Sequence, residues 1–168
     1  EPASGQLDSD IYVVTGMSDG DSSFGGTIDT GDLARGTTTG GVSTGGVYAL
    51  QRSDTDFALW FQPGGSDFTP GTFVARITNT AAESDTFTLA FDLLFLNDAA
   101  RGNAFNVEVS TNGTDYVALP DFDFTSPTES DGLGLQVMAM QASFTLDNPL
   151  ASGGELFVRW TSDDVDGG

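Results

Sequence analysis

The sequence predicts an all-β fold, a two-sheet antiparallel β-sandwich, and three observations carry that expectation. In Asp85–Asn97, Phe87, Leu89, Phe91, Leu93 and Phe95 take every second position, with Thr86, Thr88, Ala90 and Asp92 between them. A period of two places all five on one face of an extended strand. Burying each is worth roughly 1.5–3 kcal/mol, so a face this rich in phenylalanine demands a second layer over it. Comparable segments recur in about nine places, separated by clusters of Gly, Pro, Asp, Asn and Ser, which is the spacing of a sandwich. No window carries a helical period with caps.

Taken in order, Ile11–Val14 is a first short strand after a polar start. Residues 15–46 are mostly Gly, Ser, Thr and Asp, with Met17, Phe24, Ile28, Leu33 and Val42 as apolar anchors. A loop of that length inside a compact domain is uncommon and is usually functional or mobile. Within it Thr39-Gly40-Gly41-Val42 is echoed by Thr44-Gly45-Gly46-Val47, but the chain has no Lys and no helix follows. The echo therefore reads as a connection, not as a phosphate cradle. Val47–Leu50 and Phe57–Gln62 are the next strands, turning at Ser53–Asp56. In the second, Phe57, Leu59 and Phe61 share one face and Ala58, Trp60 and Gln62 the other.

Phe73–Asn79 and Thr86–Leu96 follow, joined through Thr80–Asp85 in what reads as a hairpin. Leu94 and Leu96 make both faces of the second strand's end apolar, so that end runs beneath a neighbouring layer or loop. Phe105, Val107 and Val109 continue the alternation, and Asn112-Gly113 turns the chain back into Tyr116–Leu119. Pro120–Leu135 is a second loop. Met138, Met140, Ala142, Phe144 and Leu146 line one face of a long strand, and Leu156, Val158 and Trp160 one face of the last. The expected shared core is Phe87, Leu89, Phe91, Leu93, Phe95, Val107, Phe144 and Val158.

The 168 residues suit a single domain, 1–168, burying on the order of 70% of its unfolded surface. Cysteine and histidine are both absent, which removes disulfides, thiolate or imidazole metal sites, and nucleophile arrangements that need either residue. Twenty Asp and 5 Glu face 5 Arg, for a formal net charge of −20. Nucleic acid and anionic membrane are poor partners for such a chain. No apolar run approaches the roughly 18 residues of a spanning helix, so membrane insertion is not expected. The opening Glu1-Pro2-Ala3 carries no basic and apolar leader; an exported protein would appear here in mature or excised form.

The run Phe61–Gly71, followed by Asn79, by Asn97-Asp98 with Arg101 and Asn103, by the Ser110–Gly113 turn and by Arg159-Trp160-Thr161, resembles a recurring bacterial family. It is similar to the jelly-roll sandwich domains of secreted or surface-anchored multidomain proteins. The resemblance covers Val47 to the end and implies an extracellular or cell-surface setting. It also implies a further strand after the Asp-rich turn, where this chain reads Asp166-Gly167-Gly168. On that basis an open edge is expected beside Leu156–Thr161. Either Glu1–Val14 of another copy pairs there, or Ile11–Val14 closes its own sandwich.

Candidate sites follow from residue type. Asp19 and Asp21, with Asp29 and Asp32 downstream, and the run Asp163, Asp164 and Asp166, offer clustered oxygens of the kind calcium accepts, although neither fits an EF-hand loop. The alternative is a set of solvated acidic turns. Trp60 is either covered by a loop or a stacking platform for a sugar ring. Arg76, Arg101 and Arg159 are either ion-paired within the sandwich or a bidentate grip on carboxylates or sugar hydroxyls. Asp92 and Glu108 are the carboxylates to consider for glycoside hydrolysis, against the reading that they face solvent or pair with Arg76 and Arg159.

These features point first to a non-catalytic extracellular binding or adhesion module for carbohydrate or another surface polymer, with calcium as a possible cofactor. The alternative is a structural subunit that assembles with copies of itself by strand exchange into a surface fibre or layer. An acidic hydrolase is third.

Overall fold

The computed structural model describes residues 7–26 and 30–166. Glu1 and the rest of the first six residues, Ile28, Asp29 and the side chain of Asp166 lie outside what is described. Eleven strands form the fold: β1 (Tyr12–Thr15), β2 (Thr37–Thr38), β3 (Gly46–Gln51), β4 (Phe57–Gln62), β5 (Gly71–Thr78), β6 (Ser84–Phe95), β7 (Gly102–Ser110), β8 (Val117–Ala118), β9 (Phe124–Thr125), β10 (Gln136–Leu150) and β11 (Glu155–Asp166). The only helical pieces among the described residues are 3₁₀ turns at Gly31–Leu33 and Pro120–Phe122.

The first layer is the six-stranded sheet β1-β5-β11-β7-β8, with β9 also on β7. The second is divided into an antiparallel pair, β6–β10, and a separate sheet, β2-β3-β4. All pairings are antiparallel except β2–β3. The architecture is therefore the expected all-β sandwich, with one of its layers in two pieces.

The inward residues follow the period of two. Phe87, Leu89 and Phe91 of β6 and Met140, Ala142, Phe144 and Leu146 of β10 pack on Val107, Val109, Leu156 and Val158. Phe122, 1% exposed, is held beneath them by the Pro120–Phe122 turn. Phe91 stacks on Phe122 at 5.6 Å and meets the Trp160 ring edge-on at 5.7 Å. Val14, Met17, Val47 and Phe68 form a second cluster, and Tyr48, Leu50 and Trp60 a third. Leu94 and Leu96 turn away from the first core and pack on the third, which accounts for the doubly apolar end of β6.

Two expectations are corrected, and of the two alternatives for the first strand the structure shows the second. Residues 80–85 do not close a hairpin: β5 pairs with β1 and β11, whereas β6 pairs with β10 in the other layer, so this connection crosses between layers. Leu156–Thr161 has no open edge, because β11 is hydrogen-bonded to β5 on one side and to β7 on the other. β1 pairs with β5 of its own chain from Tyr12↔Ala75 to Thr15↔Thr72, which is closure in cis. Its exit requires Gly16, whose φ of +84° and approach to the backbone of Pro70 and Gly71 leave no room for a Cβ.

Candidate functional site

The division of the second layer opens a cleft of about 400 Å³ between β4 and β6. Six consecutive residues, Ala58–Pro63, form one side and six more, Phe91–Leu96, the other. Because alternate residues of a strand point to opposite faces, an unbroken run along a cavity means that the strand's backbone edge is its wall. β3 occupies the far edge of β4, and β10 the far edge of β6. The edges that face the cleft are paired with nothing among the described residues.

The floor is aromatic. Phe61 stacks on Phe68 at 4.5 Å and lies 5.2 Å from Phe73, which in turn lies 5.4 Å from Trp160. At the other end Phe95 packs on Phe124 at 4.8 Å. Phe68 is held with φ at +58° and is 2% exposed; a bulky residue in the left-handed region is uncommon and costs of order 1–2 kcal/mol. Its N–H donates to Gly16 O, and Thr69 Oγ1 donates to Gly64 O, which fixes the turn that carries the ring.

Several polar side chains of the cleft are hydrogen-bonded within it. Ser162 Oγ donates to Asn103 Oδ1 at 2.7 Å, the Asn103 N–H donates to Ser126 Oγ, and Trp60 Nε1 donates to Gln62 Oε1. Asp92 belongs to the β6 wall by its place on the strand, and its exposed side chain alternates with the core-facing Phe91.

The sequence-derived candidates do not converge on one place. Trp60 lies along the cleft but is 8% exposed and packed against Val42, Leu94 and Leu96, the covered position. Arg159 is on the outer face of the first layer, where Nε donates to Glu108 Oε2 at 2.7 Å, Nη2 lies 2.6 Å from the same oxygen and the guanidinium lies 3.6 Å from the Tyr116 ring centre. Burial pushes the Tyr116 hydroxyl pKa up, opposed by Arg159 and reinforced by Glu108. Arg76, on the same outer face, reaches Glu155 at 3.6 Å and Asp10 O at 2.6 Å, and covers Phe24. Arg101 is exposed in the loop before β7. Glu108 and Asp92 stand on opposite outer faces of the sandwich, since each alternates with a core residue of its own layer.

The acidic candidates are also spread. Asp21 Oδ1 accepts the Gly16 N–H, and Asp19 Oδ2 accepts the Asp32 N–H. Asp32, 1% exposed, binds Arg35 and accepts from Ser18 Oγ and the Asp19 N–H, each at 2.9 Å. Burial raises the Asp32 pKa, but the Asp19 N–H, Ser18, Arg35 and Asp67 together outweigh it, and the net direction is down. Asp163 and Asp164 belong to β11 itself, opposite Ala104 and Asn103, and not to a loop. Among the described residues no three acidic side chains gather at metal-binding distance. No helix there is long and apolar enough to cross a membrane.

The cleft was the feature that residue types did not reveal, because it comes from which strands fail to pair. The doubly apolar end of β6 was its one sequence signal. Compared with protein-family models, curated proteins and solved structures, the chain gives no match.

Proposed function

We propose that this chain is a non-catalytic extracellular binding or adhesion module that holds an extended surface polymer, a glycan or another chain, in the cleft between β4 and β6. The observation that supports this reading is the cleft itself: aromatic-floored, open to solvent, and about 400 Å³, within the usual range for ligand sites. Aromatic faces offer stacking area without needing a reactive group. The resemblance to surface-anchored domains supplies the setting, and calcium enters as a stabiliser bound by the acidic loops.

The test uses the two tryptophans, since Trp60 and Trp160 both line the cleft. Titrating the protein with soluble cell-surface polysaccharides should give a saturable change in tryptophan emission and no new reducing ends. Leu59→Lys, at a cleft residue that is 38% exposed, should weaken it at least tenfold. Emission that stays flat across a broad glycan and polypeptide panel would remove the reading.

A second reading, a fibre or layer subunit assembling by strand exchange, is favoured by one observation: both walls of the cleft are unpaired strand edges. Concentration-dependent polymers in light scattering would support it.

A further inference from the structure

Taking the cleft as the binding site, we infer that its occupant is one extended strand of another polypeptide, apolar at alternate positions and basic at its ends. This rests on the binding-module reading and names the ligand class.

The walls come first. An edge strand presents an N–H and a C=O outward at every second residue, and protein groups of this kind are nearly always paired when they lie in an apolar place. Here two such edges border one cavity, over Ala58–Gln62 of β4 and Phe91–Phe95 of β6. Among the described residues β4 and β6 are not paired with one another. A ligand that satisfies both edges must carry donors and acceptors on both of its sides at the repeat of a strand. An extended polypeptide does so, and adding a strand to an exposed edge is a recurring mode of peptide recognition.

The floor and the charge narrow the choice. Phe61, Phe73, Phe95, Phe124 and Trp160 offer apolar contact to side chains on one face of the incoming strand, hence the alternation. Of the polar side chains, Ser162 Oγ is bonded to Asn103 Oδ1, Trp60 Nε1 to Gln62 Oε1 and Gln62 Nε2 to Pro63 O, so a sugar's hydroxyls would find few side-chain groups to set against two main-chain edges. The larger unpaired set is main chain. Asp92 on the wall, Asp163 and Asp164 next to Ser162, and a net charge of −20 favour Lys or Arg flanking the apolar core of the strand. The same charge disfavours a second copy of this chain as the donor.

The experiment adds a separate synthetic peptide to the full chain: valine at positions two, four and six of seven, threonine between, lysine at both ends. One-to-one binding is expected by calorimetry, with slowed amide exchange in Ala58–Gln62 and Asp92–Leu96. A peptide with N-methyl groups along one edge should bind at least tenfold more weakly, and so should one with its valines made contiguous. Tenfold weaker binding to Leu59→Lys places the peptide in the cleft. N-methyl peptides that bind as well as the parent would overturn the inference, because edge pairing would not be needed. If glycans shift the tryptophan emission and the peptide does not bind, the binding reading stands and the polypeptide inference falls; if neither acts, both fall. A wild-type chain that dimerises with its own strand in the cleft also overturns it.

Discussion

Asp32 shows how a single carboxylate can tie a loop to the sandwich. Nothing in the 15–46 stretch marks it apart from its neighbouring Asp residues, yet among the described Asp residues there only its side chain is fully buried, where Arg35 takes the position a cation would occupy. Removing it leaves Ser18, the Asp19 N–H and Arg35 without their shared acceptor, and hydrogen bonds to charged groups are worth about 1.5–3 kcal/mol. Asp32→Ala should therefore lower stability by about 2–3 kcal/mol in urea unfolding. The pH profile is a separate check. A carboxyl whose folded pKa lies below its ordinary 3.8 contributes stability that is complete above that value and is lost as pH falls through the acid range. Wild type should lose stability on acidification below about pH 4, and Asp32→Asn should do so with a shallower slope. Equal slopes would assign the acid loss to other carboxylates.

At the scale of elements, the alternating strands were legible because periodicity is local. β4 is read with its observed bounds and β6 and β10 within a few residues, but β11 is read as ending at Thr161, five residues short of Asp166, because the acidic run reads as a turn. Partner choice was not legible: whether a strand turns back on its neighbour or crosses to the other layer depends on competing contacts far along the chain. β5 chose β1 and β11, and β6 chose β10, so the expected hairpin became a crossover. For the same reason Leu93 and Phe95 leave the main core for the cleft, while Phe87, Leu89, Phe91 and Phe144 stay on Val107 and Val158. Phe122 was missed because it sits in a polar loop, although it is among the most buried side chains. Phe122→Ala should cost about 3–5 kcal/mol, the usual price of a deleted core aromatic, whereas Leu133→Ala, in the same region but 58% exposed, should change stability by less than about 0.5 kcal/mol. Thermal unfolding of the pair checks this, and similar losses would mean that the Pro120–Phe122 turn does not anchor the core.

For the whole molecule the controlling quantity is a net charge of −20 on 168 residues. Four of the 5 Arg are already committed to ion pairs, so most carboxylates act on one another, and folding concentrates them. Exposed charges interact over roughly 30 Å at 0.01 M salt but only about 8 Å at 0.15 M. Sodium chloride should therefore raise the melting temperature steeply across that interval and weakly beyond it. Screening alone cannot distinguish calcium from magnesium at the same ionic strength, since both carry two charges. A calcium site can, because many oxygens at flexible distances suit the larger ion and binding to the folded state adds stability. The calcium proposal thus predicts a melting temperature higher in millimolar calcium than in matched magnesium, with the excess lost in the Asp19→Asn, Asp21→Asn double variant. If the two cations raise it equally, self-repulsion accounts for the whole effect, and the acidity of this chain is a property of its surface and not of a metal site.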